Sequence, residues 1–166
     1  MDHHKFHTHL PRNKKEQALF ILVISLISVN LIAPLITFAE IGLSPEIYLN
    51  TLVVLPFLWL CIVPIVLLTE KPAAYLASKI TRKGDSFSAT MFVIVLCDVL
   101  LIAALMTVIG SWIGGHSFTL EPIEHFFLRY PRNFVIALAV ELAISQPVAR
   151  LVMAKWHKRK DTVSVK

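Results

Sequence analysis

Long apolar runs broken by short polar stretches dominate the chain. Ala18–Ala39 holds no charge over twenty-two residues, and Asn50–Thr69 holds none over twenty. Ser88–Ile109 carries only Asp98, and Phe134–Met153 carries only Glu141 and Arg150. A helix of about 20 residues crosses a hydrocarbon core. In lipid the backbone must satisfy its own hydrogen bonds, so helix is the state such runs adopt. The pattern predicts an all-α integral membrane protein, a four-helix transmembrane bundle. The predicted organisation is a polar tail (1–17), a first hairpin (18–70), a basic connection (71–87), a second hairpin (88–153) and a basic tail (154–166).

Composition sharpens this reading. Apolar residues make up 56 % of the 166, charged residues 16 %, and mean hydropathy is +0.70. Soluble domains run nearer 25 % charged. A soluble core of this size could not absorb so much apolar surface. The net charge of +5 sits beside the apolar runs, which suits a lipid surface rather than nucleic acid. Fourteen of the sixteen basic residues fall in the N-terminal segment, the middle connection and the C-terminal tail. The positive-inside rule then puts both termini in the cytoplasm. Cys61 and Cys97 lie inside apolar runs, so no disulfide framework is expected.

The connections carry further expectations. Ile41-Gly42-Leu43-Ser44-Pro45-Glu46 is short enough to close a helical hairpin. Ile123–Tyr130 mixes aromatics with charges, which suggests a short amphipathic helix lying in the interface. Lys71–Ile80 suggests the same on the inner side, and Trp156 reads as an interfacial anchor. Helix, turn and helix occur twice. Pro64-Ile65-Val66-Leu67-Leu68 parallels Pro147-Val148-Ala149-Arg150-Leu151-Val152, so the bundle reads as two helical-hairpin repeats related by a pseudo-twofold along the membrane normal.

Several residues then carry a resemblance. Leu10-Pro11-Arg12-Asn13 leading into an apolar helix, Gly42-Leu43-Ser44-Pro45 in the turn, and Trp59 and Pro64 in the second helix are similar to a bacterial membrane family, catalogued as domain of unknown function 2798. The resemblance covers two tandem hairpin units. The first matches better, since the second lacks the Trp, has a longer turn and adds two acids. It implies a bacterial cytoplasmic-membrane protein, and it brings no known reaction, ligand or catalytic residue.

Asp98 and Glu141 are the residues with chemistry to offer. A charged side chain at the bilayer centre costs about 2.5–3.5 kcal/mol on insertion scales. At 1.5 Å per residue, Asp98 lies ~15 Å from the inner end of its run and Glu141 ~10 Å from the outer end of its own. In a core ~30 Å thick their depths differ by about 5 Å. No base shares that depth, so one of two adjacent acids is expected to hold its proton. Asn30 and Gln146 could complete an intramembrane polar site that holds a proton or a cation. The plainer reading makes these groups interhelical glue. Pro34, Pro56, Pro64 and Pro147 are expected to kink their helices and free carbonyls. His3, His4, His7 and His9, beside Asp2, could hold a divalent metal weakly, or simply form a solvated tail. Phosphate-loop, dinucleotide, zinc-protease and nucleophile-elbow motifs are all missing, so the chain does not read as an enzyme, and no cofactor is implied.

Two functions remain. One is a small transport or permeation component for a proton, cation or small solute. The other is a structural or regulatory protein that binds another membrane protein and moves nothing. Four helices are expected to enclose little space, so transport would call for a homo-oligomer.

Overall fold

The computed structural model describes residues 13–82 and 84–163; the histidines of the N-terminal tail lie outside them. Four helices are long and apolar enough to cross a membrane. The first, α1, spans Lys14–Ile41. Asn13 caps it by accepting the Glu16 N–H at 2.9 Å, the ordinary Asx solution for a free first-turn donor. It stops at Gly42, whose φ of +94° suits a residue without a Cβ. Three residues later α2 begins (Pro45–Ile80), with Ser44 as its cap and proline at its first position. These two helices make the short hairpin.

Helix α3 spans Phe87–Gly114 and is capped by Ser86, which accepts the Ala89 N–H at 3.2 Å. One helical turn, α4 (Glu121–Glu124), precedes α5 (Phe126–Val140). A π turn over Glu141–Ser145 then leads directly into α6 (Gln146–Val163). Helix α5, the π turn and α6 form the fourth span.

Two expectations about the connections are corrected. Ile123–Tyr130 is not one separate helix: Ile123 and Glu124 end α4, and Phe126–Tyr130 opens α5, so the fourth long helix begins eight residues before Phe134. Lys71–Ile80 is likewise the continuation of α2 through Pro72. Ala73 and Ala77 there are nearly inaccessible, packed against Cys97 and partly buried Val93 and Ile94 of α3. Small residues let two backbones approach closely, which holds this extension against α3.

The spans form a ring. Helix α1 packs against α2 and the fourth span, and α3 packs against the same two. Among the described residues α1 and α3 make no close backbone approach, and neither do α2 and the fourth span. The core is therefore a series of pairwise seams. Val29 meets Val54, Leu55, Leu58 and Ile62 in one, while Val95, Val99 and Ala137 form another, flanked by Ile32 and Leu142. The outward faces expose Leu26, Phe57, Leu60, Leu67 and Leu151.

Candidate functional site

A ring without close diagonal backbone approach among the described residues leaves space at its centre. A cavity of about 1200 Å³ runs along the bundle and takes walls from all four spans. Gln17 and Glu70 stand at the end where α1 begins, and Glu40, His116 and Glu121 stand at the other. From Gln17 to Glu40 the α1 wall is about 35 Å long at 1.5 Å per residue. The expectation that four helices enclose little space is corrected here, and space alone no longer calls for an oligomer.

Asp98 and Glu141 stand on neighbouring spans, and both line this cavity. Each is held by a hydroxyl from the other hairpin. The Ser28 hydroxyl of α1 donates to Glu141 Oε2 at 2.6 Å and lies 2.9 Å from Ser145 Oγ. Ser28 has one proton. With that proton on the carboxylate, Ser28 accepts from Ser145. Glu141 and Ser145 are four apart, so both face α1 across the π turn. Thr69 Oγ of α2 lies 3.3 Å from Asp98 Oδ1, but also 3.0 Å from the Ile65 carbonyl and 3.2 Å from that of Val66. When the Thr69 proton serves its own helix, its oxygen can accept from a protonated Asp98.

Glu141 opens a π turn. Proline offers no N–H and its ring clashes with the carbonyl four residues back. Pro147 sits at the second position of α6, two residues past the turn. The wider turn closes instead through the Gln146 N–H to the Glu141 carbonyl. Such bulges are common at functional sites. Pro34, Pro56 and Pro64 stand inside continuous helices.

Gln146 joins the group. Its amide donates to Glu141 Oε1 at 3.4 Å, and its Oε1 is buried without a partner among the described residues. It also borders a second cavity of about 220 Å³, lined by Ser88 and Arg150. Asn30 does not join. It is exposed, and its amide donates to the Leu26 carbonyl of its own helix at 2.6 Å. Its depth along α1 is suitable, but its face is wrong.

Towards the Glu40 end the lining turns polar again. Asn133 donates to Thr107 at 3.2 Å, and Arg132 donates to Asn133 at 3.3 Å and to Glu40 at 2.5 Å. Arg129 grips both carboxylate oxygens of Glu121 and lies 3.7 Å from Glu40. These ion pairs tie α1, α4 and α5 together over the mouth. At the end where α1 begins, the Gln17 amide donates to Glu70 at 2.7 Å. Near it, Glu16 and His157 meet at 2.9 Å, both almost wholly buried, which joins α1 to α6.

Sequence reasoning missed Ser28, Ser145, Thr69, Thr107 and Asn133. The four-residue spacing of Glu141 and Ser145 was an available signal. The four-histidine metal suggestion lies outside the described residues.

No family model matches the chain. Comparisons with curated proteins and with solved structures give no match either, so the cavity is read from its own chemistry.

Proposed function

We propose that the chain is a multi-pass protein of a bacterial cytoplasmic membrane, with both termini inside, that moves a proton, a cation or a small solute through its central cavity. The observation that carries this reading is that Asp98 and Glu141 line one cavity rather than lipid or a dry contact. Intramembrane acids are costly and are most often functional. Acids serving only as glue would be expected in sealed seams. The outward belt of large apolar side chains supports membrane insertion, since soluble monomers rarely expose contiguous patches beyond a few hundred Å². The basic inner segments support the orientation.

We read the two hairpins as tandem units of the kind the sequence resembles. Helices α1 and α3 are each 28 residues long. The ring order, with α1 opposite α3 and α2 opposite the fourth span, is the order a pseudo-twofold along the membrane normal would give.

The test is flux in proteoliposomes containing the purified chain, with a pH-sensitive dye and a panel of inorganic and organic cations. The parent should move at least one species above protein-free vesicles. Asp98→Asn and Glu141→Gln keep shape and hydrogen bonding but remove titration, and both should fold and lose that flux. Normal flux in the double amide variant would remove the two acids from the transport reading, and no flux from the parent across the panel would favour the partner-binding role.

A further inference from the structure

The chain and its cavity carry opposite charge. The whole sequence is formally +5. The charged side chains that line the cavity are five carboxylates against one guanidinium, that of Arg129. Glu40 and Glu121 already hold that guanidinium at the outer mouth. Glu70, Asp98 and Glu141 have no cationic partner among the described residues. Apart from one another, their hydrogen-bond partners are neutral: Gln17, Ser28, Thr69 and Gln146.

The walls between the polar levels are aliphatic. Ile32, Leu58, Ile62, Val95, Ile102 and Met106 all line the space. A bare calcium ion takes about six to eight oxygen ligands in place of its water. Aliphatic walls supply none. The volume, about 1200 Å³, lies just above the roughly 300–1,000 Å³ of sites that hold organic molecules. Apolar walls with a few converging polar groups are also the make-up of such sites.

Resting on the transport reading of the same cavity, we infer that its ligand is a lipophilic monocation, an apolar body with one positive centre. The body seats on the aliphatic walls, and the charge is countered by Asp98 and Glu141.

Charge and shape can be separated with two probes of one shape. Tetraphenylphosphonium and tetraphenylborate differ mainly in sign. Equilibrium dialysis against the full chain in lipid nanodiscs, with protein-free nanodiscs as background, should show saturable binding of the phosphonium alone. In the Asp98→Asn, Glu141→Gln double variant the phosphonium Kd should rise at least tenfold. Equal binding of both probes, binding of neither, or a double variant within twofold of the parent would overturn the inference. A parent that passes protons or inorganic cations yet ignores the phosphonium overturns this inference and leaves the transport reading standing. A parent that binds the phosphonium selectively but passes nothing supports the site and overturns transport. Because the sign comparison uses the parent alone, the inference stays testable even if the double variant fails to fold.

Discussion

Replacing Ser28 by alanine isolates the contact that fixes Glu141. Ser28, Glu141 and Ser145 are all buried. The substitution removes a 2.6 Å bond to the carboxylate and a 2.9 Å bond to Ser145. Interhelical hydrogen bonds in membrane bundles average about 0.6 kcal/mol and reach about 1.7. A buried acceptor left without its donor costs about 1–3 kcal/mol. Two bonds lost, with the nearby Gln146 amide taking part of the load, give an expected destabilisation of about 2 kcal/mol. Asn30→Ala is the matched control. It lies two residues away on the exposed face and bonds its own helix, so it should stay within about 0.5 kcal/mol. Unfolding in detergent micelles, with SDS as denaturant, measures both. A cycle with Glu141→Leu should return a coupling of about 1 kcal/mol between positions 28 and 141, the part of the cost that exists only when both partners are present. Equal destabilisation by Ser28→Ala and Asn30→Ala, or a coupling indistinguishable from zero, would refute the assignment of Ser28 to the site.

Three further outcomes follow from the same geometry. In a variant lacking Cys61 and Cys97, cysteines placed at Ser44 and Ser117 should react with a membrane-impermeant maleimide added outside intact cells, while one at Ser86 should not; outside labelling at Ser86 would overturn the four-span topology. Ala77→Leu adds volume to the tight α2–α3 seam beside Cys97 and should lower stability by about 1–3 kcal/mol, read as a lower unfolding midpoint. Glu16→Ala opens the buried hydrogen bond to His157 and should cost about 1.5–3 kcal/mol; Glu40→Ala loses partly exposed pairs to Arg129 and Arg132 and should cost at most about 1, so equal losses would contradict the burial argument.

The four apolar helices were legible in the sequence because a membrane span must be long and nearly uncharged. Their true lengths were not. Lys71-Pro72 reads as a helix end, yet α2 continues because Ala73 and Ala77 can press against α3, a fact about a partner helix. The acids stood out because charge is rare in such runs. Their partners did not. Hydroxyls in apolar helices by default bond the carbonyl one turn back, as Thr37, Thr51, Thr107 and Ser111 do here. Only packing decides which hydroxyl also reaches across. Asn30 shows the same limit from the other side. Residues two apart point to different faces of a helix. Depth can be counted along α1, but a helix apolar nearly all round does not reveal which face turns inward, so Ser28 and Asn30 were not separable before the neighbours were known.

The two hairpins do not contribute alike to the site. The second supplies the acids, Asp98 on α3 and Glu141 at the π turn. The first supplies the hydroxyls that hold them, Thr69 on α2 and Ser28 on α1. Both bonds therefore cross from one hairpin to the other. In lipid, apolar helices gain little hydrophobic energy by associating, because the tails are as apolar as the side chains. A few polar contacts then weigh heavily in setting how the hairpins meet. A cation that takes up carboxylate lone pairs competes with Ser28 and Thr69 for the same oxygens. On the proposed function, occupying the cavity weakens the contacts that fix one hairpin against the other. A ligand shifts a conformational equilibrium only through different affinity for its two states, and a site built across the hairpin seam supplies that difference wherever the seam itself moves. Either acid on a single hairpin could bind a cation, but only acids held from the opposite hairpin link binding to the relative position of the two.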